Sequence, residues 1–506
     1  MPRGLARLRA ATCRWQATCL LLSVVLAACS ASAKPAKVPA PAAALRPGGA
    51  AHPPSVSAAL RPDRGWKVTS WAPPSELGGY VSPSSTRPGG LLHLHLRGTH
   101  PKVHVLVFRS GWYQGAGAAL VRSLDVTVLP PGRPRLLDPV RRTWTADWPE
   151  STALDTTGWE PGHYLVLASA AGRQTWVPFT VTSPSMAGRV VLLTENTTWQ
   201  AYNAWGGASL YHGPDGARRT RAYAVSHDRP LDYGFGAGDY SGNELPLIEL
   251  ADRLGLPLAF ATDTDLATTP GLLDGARAVI SLGHDEYWST AMRQQLLRAR
   301  DTTGTNLAFF GANAVYRHIR LESLHGVPNR IEVNYKSFSL DPLSRTDPAE
   351  ATADWPSGPY PHDGKQLTGG AYQCNPVHTD LVLSDPTAWV LAGLDLPAGT
   401  RLPGIVGSEY DKVVPGGDAP VSLVSLARSP LRCGGRPDHA DIAYYTVPSG
   451  AAGLDVGTSA WVCVLDDVCG GLPVTPQEQR IVTAITTTVL RAFAAGPAGR
   501  QHPALT

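Results

Sequence analysis

Ala278-Val-Ile-Ser-Leu282, Gly283-His-Asp-Glu-Tyr-Trp288 and the segment Ser289 to Arg300 follow one another without interruption. The first is a largely apolar run of strand length. The second is a polar loop, and the third has helical period. Ser289 is a fitting N-cap, because its hydroxyl can accept from the free N–H groups of the first turn. Asn306-Leu-Ala-Phe-Phe310 then reads as the next strand. Strand, helix and strand in that order predict a parallel sheet covered by helices.

The same alternation extends upstream. Arg189-Val-Val-Leu-Leu193 and Pro257-Leu-Ala-Phe-Ala261 read as strands. Asn243 to Leu254 has helical spacing, with Leu247, Leu250, Ala251 and Leu254 on one face. Ligands of such sheets sit outside the carboxyl ends of the strands. That rule directs attention to the loops Thr194–Tyr211, Gly283–Trp288 and Gly311–Tyr316. The first carries Glu195, Asn196, Trp199, Tyr202, Asn203 and Trp205, the second His284, Asp285 and Glu286, and the third Asn313. Caps alone explain any single loop, whereas three on one sheet edge point to a site.

Residues 63–185 have a different period. Leu91 to Arg97 alternates with period two, and Val103–Phe108, His163–Ala168 and Trp176–Val181 are further strand-like runs. Short strands separated by Gly and Pro predict a β-sandwich. The expected fold is therefore multidomain α and β, a β-sandwich over 63–185 followed by an α/β domain over 186–500 with a mostly parallel sheet. His93 and His95 share a strand face, but no third metal ligand accompanies them. Trp112 and Tyr113 are candidates for sugar binding or, with more weight, for packing between domains.

The N-terminus reads as a targeting signal. Arg3, Arg7, Arg9 and Arg14 precede the apolar run Ala17 to Ala28, which is too short to span a bilayer as a mature helix. Leu26-Ala27-Ala28-Cys29 resembles a bacterial lipobox, which implies cleavage after residue 28 and a lipid on Cys29. Residues 29–62, rich in Ala and Pro, are expected to tether the chain to the outer face of a membrane. Without those four arginines, 40 of the 44 basic residues remain against 41 acidic ones. That balance excludes a nucleic-acid-binding reading. Four cysteines follow Cys29, and an even number in an exported chain predicts two disulfides among Cys374, Cys433, Cys463 and Cys469. Proximity favours Cys463 with Cys469 and leaves Cys374 with Cys433.

Tyr202-Asn-Ala-Trp-Gly-Gly-Ala-Ser-Leu-Tyr211, His227-Asp-Arg-Pro230, Thr262-Asp-Thr-Asp-Leu266 and Gly283-His-Asp-Glu-Tyr-Trp288 together resemble the large (beta) subunit of N,N-dimethylformamidase and its relatives. The likeness runs over about 66–495. It implies an amidohydrolase acting on a small amide, on a glutamine-amidotransferase-like α/β domain, with one Fe(III) held by two tyrosines and a glutamate. Carried over, Glu286 and Tyr202 are metal ligands, and His284, Asn313 and Glu409 are active-site residues. Tyr240 is the second tyrosine by spacing, with Tyr211 and Tyr233 as weaker substitutes. Relatives often carry a tyrosine where this chain has Leu245.

The chemistry is coherent. Phenolate and carboxylate are hard anionic ligands suited to Fe(III), and a carboxylate such as Glu409 is a fitting general base. A thiol hydrolase needs a cysteine in the loop after Leu282, and none is there. No Gly-x-Ser-x-Gly stands at a strand end, which removes the serine-hydrolase reading. The remaining rival is a non-catalytic surface lipoprotein that binds glycan or peptide through the β-domain.

Overall fold

The computed structural model describes residues 60–232, 237–357, 362–466 and 474–505. The leader, Cys29, Tyr233 and Cys469 lie outside the described residues.

A seven-stranded sheet positions the site. Its order is Leu258–Thr262, Val190–Thr194, Ala278–Ser281, Asn306–Phe309, Ala452–Asp455, Arg436–Thr446 and Ser422–Cys433. The first five strands run parallel. The last two extend the sheet as an antiparallel hairpin. Val190, Val191, Leu192 and Leu193 are all fully buried. Consecutive apolar residues fit a strand whose two faces are both covered.

The expected strands match to within a residue or two. The helix after the Gly283 loop is Thr290–Arg298, with the Ser289 hydroxyl accepting from the Met292 N–H at 3.4 Å. The helix expected from Asn243 begins as a π-helical turn, Tyr240–Glu244, and continues as Leu245–Arg253. A long C-terminal helix, Pro476–Ala495, starts with the Thr475 hydroxyl on the Glu478 N–H and inserts Ile481, Ile485, Val489 and Phe493 into the main core. Among the described residues no helix is long and apolar enough to cross a membrane.

Residues 63–185 form two principal sheets. One is Leu77–Ser82, Leu91–Gly98 and Thr152–Asp155; the other has five strands centred on Gly162–Ala170 and Lys102–Ser110. Leu92, Leu94 and Leu96 of the first share a core with Val103, Val105, Val107, Val166 and Val177 of the second. The alternation in Leu91–Gly98 sends those leucines inward, while His93 and His95 point the other way. His93 Nδ1 lies 2.6 Å from Glu150, and His95 stacks on Tyr80.

Residues 63–185 share a hydrophobic cluster with the segment that follows. Trp66, Phe108, Leu165 and Trp176 pack into the same cluster as Val190, Leu192, Leu247 and Leu250. The described residues form one compact unit. Trp112 and Tyr113 serve this seam. The Trp112 N–H donates to Asp252 at 2.7 Å, Arg253 lies over its ring, and Tyr113 takes a hydrogen bond from Arg109.

Residues 370–413 form an arm of two strands, Gly370–Leu383 and Thr400–Val413. A disulfide between Cys374 and Cys433 ties this arm to the end of strand Ser422–Cys433. Cys463 is also disulfide-bonded.

Candidate functional site

Three parallel strands deliver the site residues at their carboxyl ends. Val190–Thr194 leads into the helix Asn196–Tyr202, whose last residue is Tyr202. Ala278–Ser281 leads into Gly283, His284, Asp285 and Glu286. Asn306–Phe309 leads into Gly311 and Asn313. The last two loops touch backbone to backbone, since a Cβ on Gly311 would overlap the Gly283 carbonyl oxygen. Only glycine allows that approach. Asn313 then adopts φ 61°, a left-handed conformation that asparagine tolerates better than most residues.

The His227-Asp-Arg-Pro230 run has a structural use. The fully buried Arg229 guanidinium donates to the carbonyls of Gln200 at 2.6 Å and of Trp205 and Ala208 at 3.1 Å. It thereby clamps the turn that joins Tyr202 to Tyr211. Asn203 secures the same turn, with its amide on the Pro230 carbonyl.

At the centre is Glu286, fully buried. Its Oε2 accepts from the Tyr202 hydroxyl at 2.7 Å and from the Tyr211 hydroxyl at 2.7 Å. The two hydroxyls are 2.8 Å apart, and the rings stack at 4.4 Å. Arg317 Nε donates to Glu286 Oε1 at 2.9 Å. Burial alone raises the Glu286 pKa, but Arg317, Lys336 and His284 outweigh it and bring it down to about 2. Burial and the Glu286 charge push both phenols well above their ordinary range, so without a cation they stay protonated and donate to the carboxylate.

Beside Glu286 stands a second charge pair. His284 Nε2 is 3.2 Å from Glu409 Oε2 and 3.8 Å from Glu286 Oε2. Burial lowers the His284 pKa, but Glu409 and Glu286 raise it further, to about 9, so the ring is an imidazolium at neutral pH. Glu409 Oε1 accepts from Asn375 at 2.7 Å and from Asn313 at 3.4 Å. His284 and Glu409 are close enough to pair as charges but lie off the hydrogen-bond direction. His284 Nε2, Glu409 Oε2 and Asn313 Oδ1 are all buried without a hydrogen-bond partner among the described residues. Three such atoms converging is unusual, because unpaired buried polar groups are costly. A cavity of about 330 Å³, lined by Tyr202, Tyr211, Glu286, Asn313 and Glu409, opens beside them, with Arg221 and Lys336 on its wall.

The structure therefore brings together Tyr202, His284, Glu286, Asn313 and Glu409. Tyr240 is elsewhere. Its hydroxyl donates to Ser110 Oγ at 2.5 Å, and its ring meets Trp199 edge-on in the main core. It stands one helical turn before Leu245, on the side facing the N-terminal sheets, where spacing alone does not place it. Tyr211 is the tyrosine that meets Glu286. Leu245 is also buried in that core.

Sequence reasoning missed Arg317, Lys336, Tyr372 and Asn375. Arg317 follows the third loop by one residue. The others come from segments remote in the chain with no local motif. Among the described residues no group of three or more His, Cys, Asp and Glu side chains is arranged to hold a metal ion. The converging donors here are two phenols and one carboxylate.

The sheet and its edge define an α/β protein with a phenol–carboxylate site at the carboxyl ends of parallel strands. The chain belongs to the N,N-dimethylformamidase beta subunit-like family, C-terminal part, whose description it matches over residues 104–474. Membership points to hydrolase chemistry of the amidohydrolase type. No curated protein matches the chain significantly.

Proposed function

We propose that this chain hydrolyses the C–N bond of a small amide, with Fe(III) held by Tyr202, Tyr211 and Glu286. The observation that carries the reading is the convergence of two phenol oxygens on one carboxylate oxygen at 2.7–2.8 Å. In an octahedral shell with bonds of about 2.0–2.1 Å, adjacent oxygens stand about 2.9 Å apart. The donors are hard and oxygen-only, as a ferric ion prefers. Such an ion, when bound, supplies Lewis-acid chemistry and lets both phenols act as phenolates at neutral pH.

The remaining work falls to the side chains. Glu409 takes the proton of the attacking water through its unengaged Oε2, while Asn375 and Asn313 hold the other oxygen. The water oxygen bonds to the carbonyl carbon. The His284 imidazolium donates to the carbonyl oxygen as negative charge develops there. The C–N bond then breaks, and Glu409 passes its proton to the departing amine. The cavity volume suits a small substrate.

We read the paired sheets of residues 63–185 as a β-sandwich and the remainder as a glutamine-amidotransferase-like domain. Residues 1–28 are read as a signal peptide and Cys29 as lipidated, which places the chain on the outer face of a membrane. The Cys374–Cys433 bond supports an oxidising compartment. Cys29→Ser should move the protein from the detergent to the aqueous phase; unchanged partitioning sinks the anchor.

The decisive experiment reconstitutes the protein with iron and follows both visible absorption and amine release from small formamides and acetamides. A phenolate-to-iron band is expected, lost in Tyr211→Phe and kept in Tyr240→Phe. A colourless, iron-free protein overturns the metal assignment. Bound iron without amine release from any amide overturns the hydrolase assignment.

A further inference from the structure

A second cavity, larger than the one at the phenol–carboxylate site, lies elsewhere among the described residues. It has a volume of about 670 Å³ and lies between helix Thr290–Arg298 and the segment from Pro348 to Trp355. That size is within the ~300–1,000 Å³ range of small-molecule pockets. Much of its wall is apolar, from Leu297, Pro348, Ala351, Ala353 and the Trp355 ring.

Two donors on that wall have no acceptor among the described residues. Arg293 is 3% exposed, yet its Nη1 makes no hydrogen bond. Its Nη2 donates only to neutral acceptors, the Asp363 carbonyl at 3.1 Å and Gln366 Oε1 at 2.6 Å. Among the described residues no carboxylate pairs with it at salt-bridge distance. Trp355, 6% exposed, leaves its indole N–H unpartnered as well. The two groups are neighbours, the guanidinium standing 5.0 Å from the centroid of the indole ring. Asp418 and Asp363 act on Arg293 through charge without reaching salt-bridge distance; a buried cation with no direct partner is costly, as is each buried donor without an acceptor.

Asp354, His318 and Thr290, also on the wall, are already engaged. Asp354 takes Arg317 Nη1 and the Tyr316 hydroxyl. His318 stacks on Trp355 at 3.9 Å and shares a hydrogen bond with Thr290 at 3.0 Å. Burial depresses the His318 pKa to about 4, so the ring is neutral and does not compete with Arg293 for an anion.

We propose that this cavity is a second binding site, which takes a small organic carboxylate with an apolar body. The carboxylate meets Arg293 Nη1 and the Trp355 N–H, and the body lies along Leu297, Ala351 and Ala353. Arginine suits this task because its planar fork matches a carboxylate. The inference does not depend on the amide-hydrolase reading, since none of these residues contacts Glu286, His284 or Glu409.

Phenylacetate is a fitting probe, with 2-phenylethanol as its uncharged counterpart. Calorimetry on the purified protein should show phenylacetate binding at least tenfold more tightly than the alcohol. Arg293→Gln should weaken phenylacetate at least tenfold. Ala349→Trp, at the exposed rim, should block entry while leaving Arg293 in place, which decides the matter if Arg293→Gln fails to fold. Arg221→Gln, at the other cavity, should bind as the wild type does. No binding of phenylacetate at millimolar concentration, or equal binding by wild type and Ala349→Trp, overturns the proposal.

Discussion

Asp285 and Glu286 are neighbours in the chain, both fully buried, and their carboxyl groups behave in opposite ways. Glu286 faces Arg317, Lys336 and His284 and is driven down to about 2. Asp285 turns back under the sheet edge and is pushed up to about 7, burial being the main cause. It accepts from Ser281 at 3.0 Å and from the Trp288 indole at 2.8 Å, both uncharged donors. Glu195, Glu244 and Asp263 share that region and are likewise raised by burial and by one another. Burial alone therefore does not decide whether a carboxylate at this edge is charged. The cations that reach it decide: Arg317 and Lys336 from the segment 317–336, and His284 from the loop itself.

The largest expected effect tests the charged half. Glu286→Gln removes one of the two carboxylates that Arg317 meets and leaves it Asp354, and breaking a buried pair from one side costs at most about 3–5 kcal/mol. Denaturant unfolding should show a loss of that order, and iron should no longer bind. The sign with pH follows from the lowered pKa. The stabilisation from Glu286 is complete above the ordinary carboxylate pKa of 4.5 and is lost as the pH falls from there through about 2. The variant should therefore lose little further stability over that range on this account.

Glu409→Gln sharpens the comparison at the edge of the same cluster. It keeps Tyr202, Tyr211 and Glu286 but removes the largest influence raising His284. Amide hydrolysis should fall by about 10²–10⁴-fold. The His284 titration, followed by NMR, should move down from about 9. An unmoved titration would falsify the pairing of His284 with Glu409.

Asp285→Asn probes the uncharged half. A carboxyl whose folded pKa is raised from 3.8 to about 7 holds its proton longer in the folded state, so stability declines as the pH rises between those values. The melting temperature of the wild type should drop from mildly acidic to neutral pH, and the drop should be smaller in Asp285→Asn. An equal drop in both proteins would assign the slope to other raised carboxyls, among them Asp239, Glu249 and Asp411, each at about 7.

Tyr240→Phe should have the smallest effect. It removes one buried hydrogen bond to Ser110, worth about 1 kcal/mol, and leaves iron binding and hydrolysis unchanged. A loss of metal in this variant would return Tyr240 to the site.

Much of this was legible from local pattern. The runs Arg189–Leu193, Pro257–Ala261, Ala278–Leu282 and Asn306–Phe310 are apolar because both sheet faces are covered, and that condition is written into consecutive residues. The rule that loops at strand carboxyl ends carry ligands singles out the loops holding Tyr202, His284, Glu286 and Asn313, and the structure brings these four side chains together. Cys374 and Cys433 were paired by what proximity left over, and they are bonded. Tyr240 could not be judged that way. Whether its ring turned to the crevice or to Ser110 depended on the packing of the N-terminal sheets against helix Leu245–Arg253. Lys336, Asn375 and the unpaired Arg293 are set by contacts between segments far apart in the chain. Sequence determined where strands end and which loops are polar, because those follow from periodicity over a few residues. Tertiary structure alone decided which tyrosine meets Glu286 and which carboxyls are charged, because both depend on the distance to groups dozens of residues away.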